Sequence, residues 1–272
     1  MSSFQHPLIV EINSIPQFKQ KSTEWLNQRK GFLTSSDAAS ALGINPYSSR
    51  DELVFKKCDL AVPFTGNIAT RHGERYEDEA IERYCAVMGM TNFEFGLIPY
   101  KAVPRDDHRE EYDFLAGSPD GIALENGYTA ESEPVMIEVK CPFRRKPIQG
   151  KCPEHYKSQV YLNMLICKCN KADFIEYVPN APPGEQLFIT RILLDEAKRW
   201  WDDNLHTLTE FWGTVLHYRS EGIETHPLYD KISTRVNKAV AKLELREKEY
   251  TKEKEENDNM ASCCMLADSD SE

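Results

Sequence analysis

Asp120, Glu138 and Lys140 are the residues of this chain whose types and spacing best fit chemistry. Asp120 lies in Ser118-Pro119-Asp120-Gly121, a turn between two strand-like runs, and Glu138-Val139-Lys140 follows after seventeen intervening residues. Met136–Lys140 alternates as a strand does, which places Ile137 and Val139 on one face and Glu138 with Lys140 on the other. A fourth group, Glu77, falls on the apolar stripe of a helix expected from Asn67 to Met88, with Gly73, Ala80, Ile81, Tyr84, Val87 and Met88. An ionised carboxylate on such a face is costly without a partner. Three carboxylates and an ammonium that converge call for a cation, and an all-oxygen set suits Mg²⁺ or Mn²⁺. A metal in such a site lowers the pKa of a bound water and neutralises charge on a phosphate. Lys140 would hold the attacking water or stabilise the phosphorus, and the backbone carbonyl of Val139 would complete the coordination.

The elements that must position these groups follow from periodicity and breaker residues. A helix, a short break and a second helix run from Ser22 to Gly43, with Thr34-Ser35-Ser36-Asp37 as N-cap candidates. Another helix starts at Arg50. After Thr91 the pattern turns strand-like in FEFGLIPY, DFLAG, GIALE and VMIEVK. Pro153–Cys167 reads as helix, ADFIEYV and LFITRIL as strands, and DEAKRWWDDNLHTLTEFWGTVLHY as a long amphipathic helix. The order implies an α/β (α+β) fold, a mixed sheet with helices on both sides.

Composition bounds the function. The chain has 272 residues, 40% hydrophobic and 28% charged, as a globular protein would. No apolar run approaches the ~20 residues of a bilayer span, and the N-terminus shows no cationic segment followed by an apolar one, so no signal peptide is expected. The eight cysteines form no C-x-x-C pair, which leaves little basis for a zinc or iron–sulfur site and points to structural thiols in a reducing compartment.

A net charge of −11 by itself argues against a nucleic-acid partner. Its distribution changes the reading. Lys140, Arg144, Arg145, Lys146, Lys151 and Lys157 stand against Glu138 and Glu154, a net of +4 over residues 138–157. Residues 252–272 carry −5, and residues after about 257 read as a disordered acidic tail. Arg144, Arg145 and Lys146 are a solvated loop or non-specific grips on a DNA backbone. His72, His108 and His155 show no paired spacing and read as structural, as do Tyr156 and Tyr161.

The acid and amine spacing, with Pro119-Asp120 ahead of it, resembles the PD-(D/E)xK nuclease signature. Ser118-Pro119-Asp120-Gly121 with Glu138-Val139-Lys140-Cys141-Pro142 is similar to the YqaJ viral recombinase family, the lambda exonuclease-like branch of that superfamily. Trp25-x-x-x-Arg29-x-Gly31 before Thr34-Ser35-Ser36-Asp37, Gly73-x-x-Tyr76-Glu77 and Tyr156-x-x-Gln159-Val160 fit the same family in order. Ser35 and Asp37 depart from the family's Ala and Glu. The likeness runs from about Trp25 to Leu194.

The resemblance implies a restriction-endonuclease-like core in which Asp120, Glu138 and the Val139 carbonyl bind metal. It implies that Glu77 holds metal-bound water, that Lys140 is the catalytic lysine and that Gln159 positions it or the water. Arg29 and Ser36 would take a 5′-phosphate, and a guanidinium with a hydroxyl near a helix N-terminus suits that task on physical grounds as well. The implied activity is a Mg²⁺-dependent 5′-to-3′ exonuclease acting on double-stranded DNA ends, with Mn²⁺ as a substitute metal. The implied partners are a single-strand annealing protein and two further copies in a homotrimer. The implied setting is soluble and intracellular, the cytoplasm or nucleus of a host if the source is viral. The same metal site would also serve a DNA or RNA endonuclease, and a non-catalytic DNA-binding module of this fold is the further alternative. The expected organisation is a nuclease domain over 1–220, a helical extension over 221–256 and the tail over 257–272.

Overall fold

The computed structural model describes residues 6–63, 66–182, 184–246 and 248. The sheet that carries the acids has five strands. They are β2 (Met90–Phe93), β5 (Gly121–Glu125), β6 (Val135–Lys140), β7 (Lys171–Tyr177) and β8 (Leu187–Leu193), in the order β2-β5-β6-β7-β8. A smaller sheet pairs β1 (Leu33–Thr34), β4 (Leu115–Gly117) and β3 (Ile98–Pro99) in the order β1-β4-β3. The helices are α1 (Pro7–Asn13), α2 (Thr23–Lys30), α3 (Ala38–Ala41), α4 (Arg50–Lys57), α5 (Ile68–Met88), α6 (Glu154–Ile166) and α7 (Leu194–Glu221). The mixed α/β class expected from the element order is the one observed.

Strand β6 is the axis of the larger sheet. It runs antiparallel to β5, with Gly121 opposite Ile137, and parallel to β7, with Glu138 opposite Phe174. Its alternating side chains divide between two helices. Val135, Ile137 and Val139 pack with Ala80, Ile81 and Tyr84 of α5, with Ile175 and Tyr177 beside them. Glu138 meets Asn163 of α6 on the other face, and Tyr156 of α6 lies against Phe174. Both faces are therefore covered, as a strand paired in parallel on one edge requires. Helix α5 is capped by Asn67, whose side chain accepts from Thr70 N at 2.9 Å. Such a cap is worth about 1 kcal/mol.

Two expectations change. FEFGLIPY is not one strand: β2 ends at Phe93 in the large sheet, and Ile98–Pro99 joins the small one. The reason lies at Gly96, where an added Cβ would stand 2.5 Å from the carbonyl oxygen of Phe18, so the chain turns there against the N-terminal segment. The apolar stripe of α5 packs on the core through Tyr84 and Cys85, while Val87 and Met88 are exposed. The chain also divides into two compact units. Among the described residues, one unit comprises residues 6–54 and 66–217, and the second comprises 55–63 with those from 218 onward. Within the second unit, Phe55, Ile232 and Val236 form a core with Leu60, Val62 and Val240 around it, and residues 229–246 are helical. The acidic tail over 257–272 lies outside the described residues, as do Cys263 and Cys264.

Candidate active site

The turn between β4 and β5 delivers Asp120, and its shape depends on Gly121. A Cβ there would stand 2.0 Å from Asn92 Oδ1, while Asn92 Nδ2 donates to the Asp120 carbonyl at 3.5 Å. Side-chain contacts from the N-terminal segment and Ser118 tie the same turn to the loop at Phe95 and Gly96. Gln20 Nε2 donates to the carbonyls of Phe95 (2.9 Å) and Pro119 (3.3 Å), and Ser118 Oγ donates to the Gly96 carbonyl at 3.0 Å. The turn is thus held from three directions before any ligand arrives.

Pairing between β5 and β6 ends at Gly121 and Ile137, so the last residues of β6 have no strand partner on that edge. Asp120 fills the gap: its Oδ2 accepts from Val139 N at 2.6 Å. In a pleated strand a residue's N–H and C=O point to the same side, so the carbonyl of Val139 faces the Asp120 edge too. Glu138 is fully buried. Lys140 Nζ donates to its Oε1, and Asn163 Nδ2 donates to its Oε2 at 3.3 Å. Asn163 is itself fully buried, and a Cβ at position 117 would stand 2.6 Å from its Oδ1, so the last residue of β4 is a glycine.

The electrostatics follow from the burial. Asp120 is pushed up to about 7, first by desolvation and then by the neighbouring Glu138. Glu138 is also raised by burial, against the pull of Lys140. Burial would lower Lys140, but the carboxylates of Glu138 and Asp120 outweigh it and hold the ammonium charged. Glu77 on α5 is raised by burial and by Asp120, and its nearest cation is Lys21, with Nζ 3.8 Å from Oε2. Other buried acids nearby show the contrast. Asp173 is matched by Arg191 and Tyr84, and Glu176 by Arg145. Asp120 and Glu138 share one lysine between two carboxylates, the arrangement that a further cation relieves.

Among the described residues no group of three or more His, Cys, Asp or Glu side chains is arranged to hold a metal ion by itself. Asp120, Glu138 and the Val139 carbonyl instead offer a hard, all-oxygen, open set. That set fits a divalent ion that keeps its own waters, as Mg²⁺ does.

The second expected cluster is assembled too. Arg29 Nη2 donates to Thr34 Oγ1 at 2.9 Å and to Ser36 Oγ at 2.7 Å, and its guanidinium lies 4.4 Å over the Trp25 ring. Thr34 Oγ1 donates to the buried Asp37 at 2.7 Å. Burial lowers the Arg29 pKa, and Asp37 opposes that. Here Asp37, one of the two departures from the family pattern, anchors the hydroxyl that meets the guanidinium.

Gln159 is half-buried on α6, one turn before Asn163 and on the same helix face. The α6 side chain that bonds Glu138 is Asn163, a residue that no local pattern in the sequence marks. Lys21 was missed as well; it sits in a loop at φ 69°, and no local pattern marks it. Of the basic loop, Arg145 is committed to the buried Glu176, while Arg144 and Lys146 are exposed.

The YqaJ-like viral recombinase domain matches residues 24–170. Among curated proteins, the chain is 29% identical over 174 residues to uncharacterized protein R354 of Acanthamoeba polyphaga mimivirus, covering 61% of this chain and 30% of that protein. It is 28% identical over 171 residues to protein D345L of African swine fever virus, covering 54% of this chain and 46% of that protein. The chain thus spans less than half the length of these relatives. Among solved structures, an alkaline exonuclease (LHK-Exo) from Laribacter hongkongensis is similar at 24% identity and a TM-score of 0.48, covering 87% of this chain and 99% of that one. No helix among the described residues is long and apolar enough to cross a membrane. The matched domain takes in more than half of the chain, including Arg29, Ser36, Glu77, Asp120, Glu138, Lys140 and Gln159, and the protein belongs to the YqaJ-like viral recombinase family.

Proposed function

We propose that the protein is a metal-dependent deoxyribonuclease that degrades double-stranded DNA from 5′-phosphorylated ends, releasing mononucleotides and leaving 3′ overhangs for recombination or strand annealing. The observation that carries the reading is the pair of carboxylates, the half-buried Asp120 and the fully buried Glu138, converging with Lys140 at the unpaired edge of β6. Asp120, Glu138 and the Val139 carbonyl would hold Mg²⁺, with Mn²⁺ as substitute; when bound, the ion would activate water and neutralise phosphate charge.

The chain's own residues do the rest. Asp120 is oriented by the Val139 N–H, and Glu138 by Asn163. Lys140 stays charged beside the acids and is placed to stabilise negative charge on a phosphate. Glu77, raised by burial, faces the same cleft and is suited to orient a water. Gln159 lies on the α6 face that carries Asn163 and supports the position of Lys140 or the water. Arg29 and Ser36 would receive the 5′-phosphate, and a guanidinium with a hydroxyl meets two phosphate oxygens well. Arg144 and Lys146 would add salt-dependent backbone contacts. A single-strand annealing protein and a homotrimeric assembly remain the partners that this reading implies, in a soluble intracellular setting.

The test compares four substrates in Mg²⁺: linear duplex with 5′-phosphate, linear duplex with 5′-hydroxyl, closed circular DNA and RNA. The expected result is mononucleotide release from the first, slower from the second and none from the others. Cutting of the closed circle or of RNA would replace the exonuclease with an endonuclease.

A further inference from the structure

A cleft of about 780 Å³ opens over Glu77 and Lys140, and two of the aromatic side chains that line it, Tyr47 and Phe143, are exposed. Tyr47 is 79% exposed and Phe143 is 43% exposed. Each is backed by rings from a different helix. Tyr47 meets His155 edge-on at 5.8 Å, and His155 lies 4.1 Å from Tyr156, both on α6. Phe143 meets His72 at 5.3 Å, and His72 lies 4.8 Å from Tyr76, both on α5. Because α5 and α6 cover opposite faces of the sheet, two aromatic rows reach one cleft from either side of β6. The rows join the charged groups there: Lys140 Nζ lies 5.4 Å over the Tyr156 ring, and Arg144 lies 5.8 Å over Phe143. Tyr47 is further fixed by its own backbone, whose N–H donates to Asn45 Oδ1 at 2.9 Å.

A cleft with cations at its floor and rim and flat apolar rings on its walls matches a nucleotide, with phosphate on the cations and base on the rings. A base inside a duplex has both faces covered by its neighbours, so a protein ring reaches one only after the base leaves the stack. Building on the nuclease reading above, we propose that Tyr47 and Phe143 are stacking surfaces for an unpaired nucleobase of the strand being cut. The cleft would thus take single-stranded nucleotides beside the metal site. Stacking of one base on one aromatic side chain corresponds to roughly a 5- to 150-fold change in affinity, and it tolerates every base because each has a π-face.

The experiment is a cycle between ring and base. Binding of a 5′-phosphorylated duplex is measured by fluorescence anisotropy in Ca²⁺, with an abasic residue placed first, second or third from the 5′ end. Wild type, Tyr47→Ala, Phe143→Ala and Tyr47→Trp are compared, and circular dichroism checks that each is folded. At one position, loss of the base should weaken wild-type binding at least fivefold but weaken the Ala variant less than twofold. Tyr47→Trp should behave as wild type, and a single-stranded oligonucleotide should show the same coupling. If ring loss and base loss multiply independently at every position, the inference is wrong, whatever the protein's activity. If the coupling is present but Mg²⁺ brings no cleavage, the nuclease reading fails and the stacking site stands.

Discussion

Asp120→Asn should make the metal-free protein more stable while abolishing its chemistry. The carboxylate of Asp120 is pushed from an ordinary 3.8 up to about 7 by burial and by Glu138. An acid whose folded pKa is raised binds its proton more tightly when folded, so stability falls as pH rises from about 4 through about 7 and stays low above that. At about 1.4 kcal/mol per tenfold change in proton affinity, the full penalty at pH 8 is about 4 kcal/mol, and relaxation around the site would leave about 2–4 kcal/mol. The asparagine keeps an oxygen to accept from Val139 N, so the one strong hydrogen bond of this side chain survives. It also removes the like charge that raises Glu77. In EDTA at pH 8 the variant should melt roughly 5–10 °C above wild type, and the gap should close by pH 4. Adding Mg²⁺ should narrow the gap by stabilising wild type alone. Thermal melts across pH with and without Mg²⁺ measure all three. A variant that is less stable than wild type at pH 8, or an advantage that grows toward acid pH, would refute the electrostatic account of this site.

Other outcomes follow from single contacts. Asn163→Leu removes the donor to Glu138 Oε2 and should weaken Mn²⁺ binding and turnover about 10- to 100-fold, measured by titration calorimetry and steady-state kinetics, with KM for DNA little changed. Arg29→Ala should erase the preference for 5′-phosphate over 5′-hydroxyl ends, read from relative kcat/KM on the two duplexes; equal cutting of both ends by wild type would remove the phosphate pocket. Ile137→Ala opens a cavity between β6 and α5 and should cost about 2–5 kcal/mol in urea unfolding, with no change in end preference.

The sequence made the site legible where chemistry requires a residue type at a fixed separation. Asp120 and the Glu138-Val139-Lys140 alternation are of this kind, and so is the helix from Asn67, whose cap and period agree. Arg29 and Ser36 are seven residues apart, and their contact depends on β1 and the turn after it bringing the chain back. Family resemblance, rather than local pattern, pointed to that pair. What stayed hidden depends on long-range packing. The break at Gly96 exists because Phe18 passes close by, seventy-eight residues earlier in the chain. Lys21 reaches Glu77 only because Gln17 and Gln20 fasten its loop to the strand turns. The pairing of 55–63 with the C-terminal segment rests on Phe55 meeting Ile232 and Val236, apolar residues that read equally well as part of any core. Asn163 was hidden for a different reason: an asparagine in mid-helix carries no mark of function until the acid it faces is known.

The most direct measurement is digestion of a 5′-end-labelled linear duplex in Mg²⁺ by wild type and by Asp120→Ala. Wild type should release labelled mononucleotide first and leave a growing 3′ overhang, EDTA should stop the reaction, and Asp120→Ala should be at least a thousandfold slower. Full activity in Asp120→Ala, or no metal-dependent loss of duplex with wild type, would contradict the account.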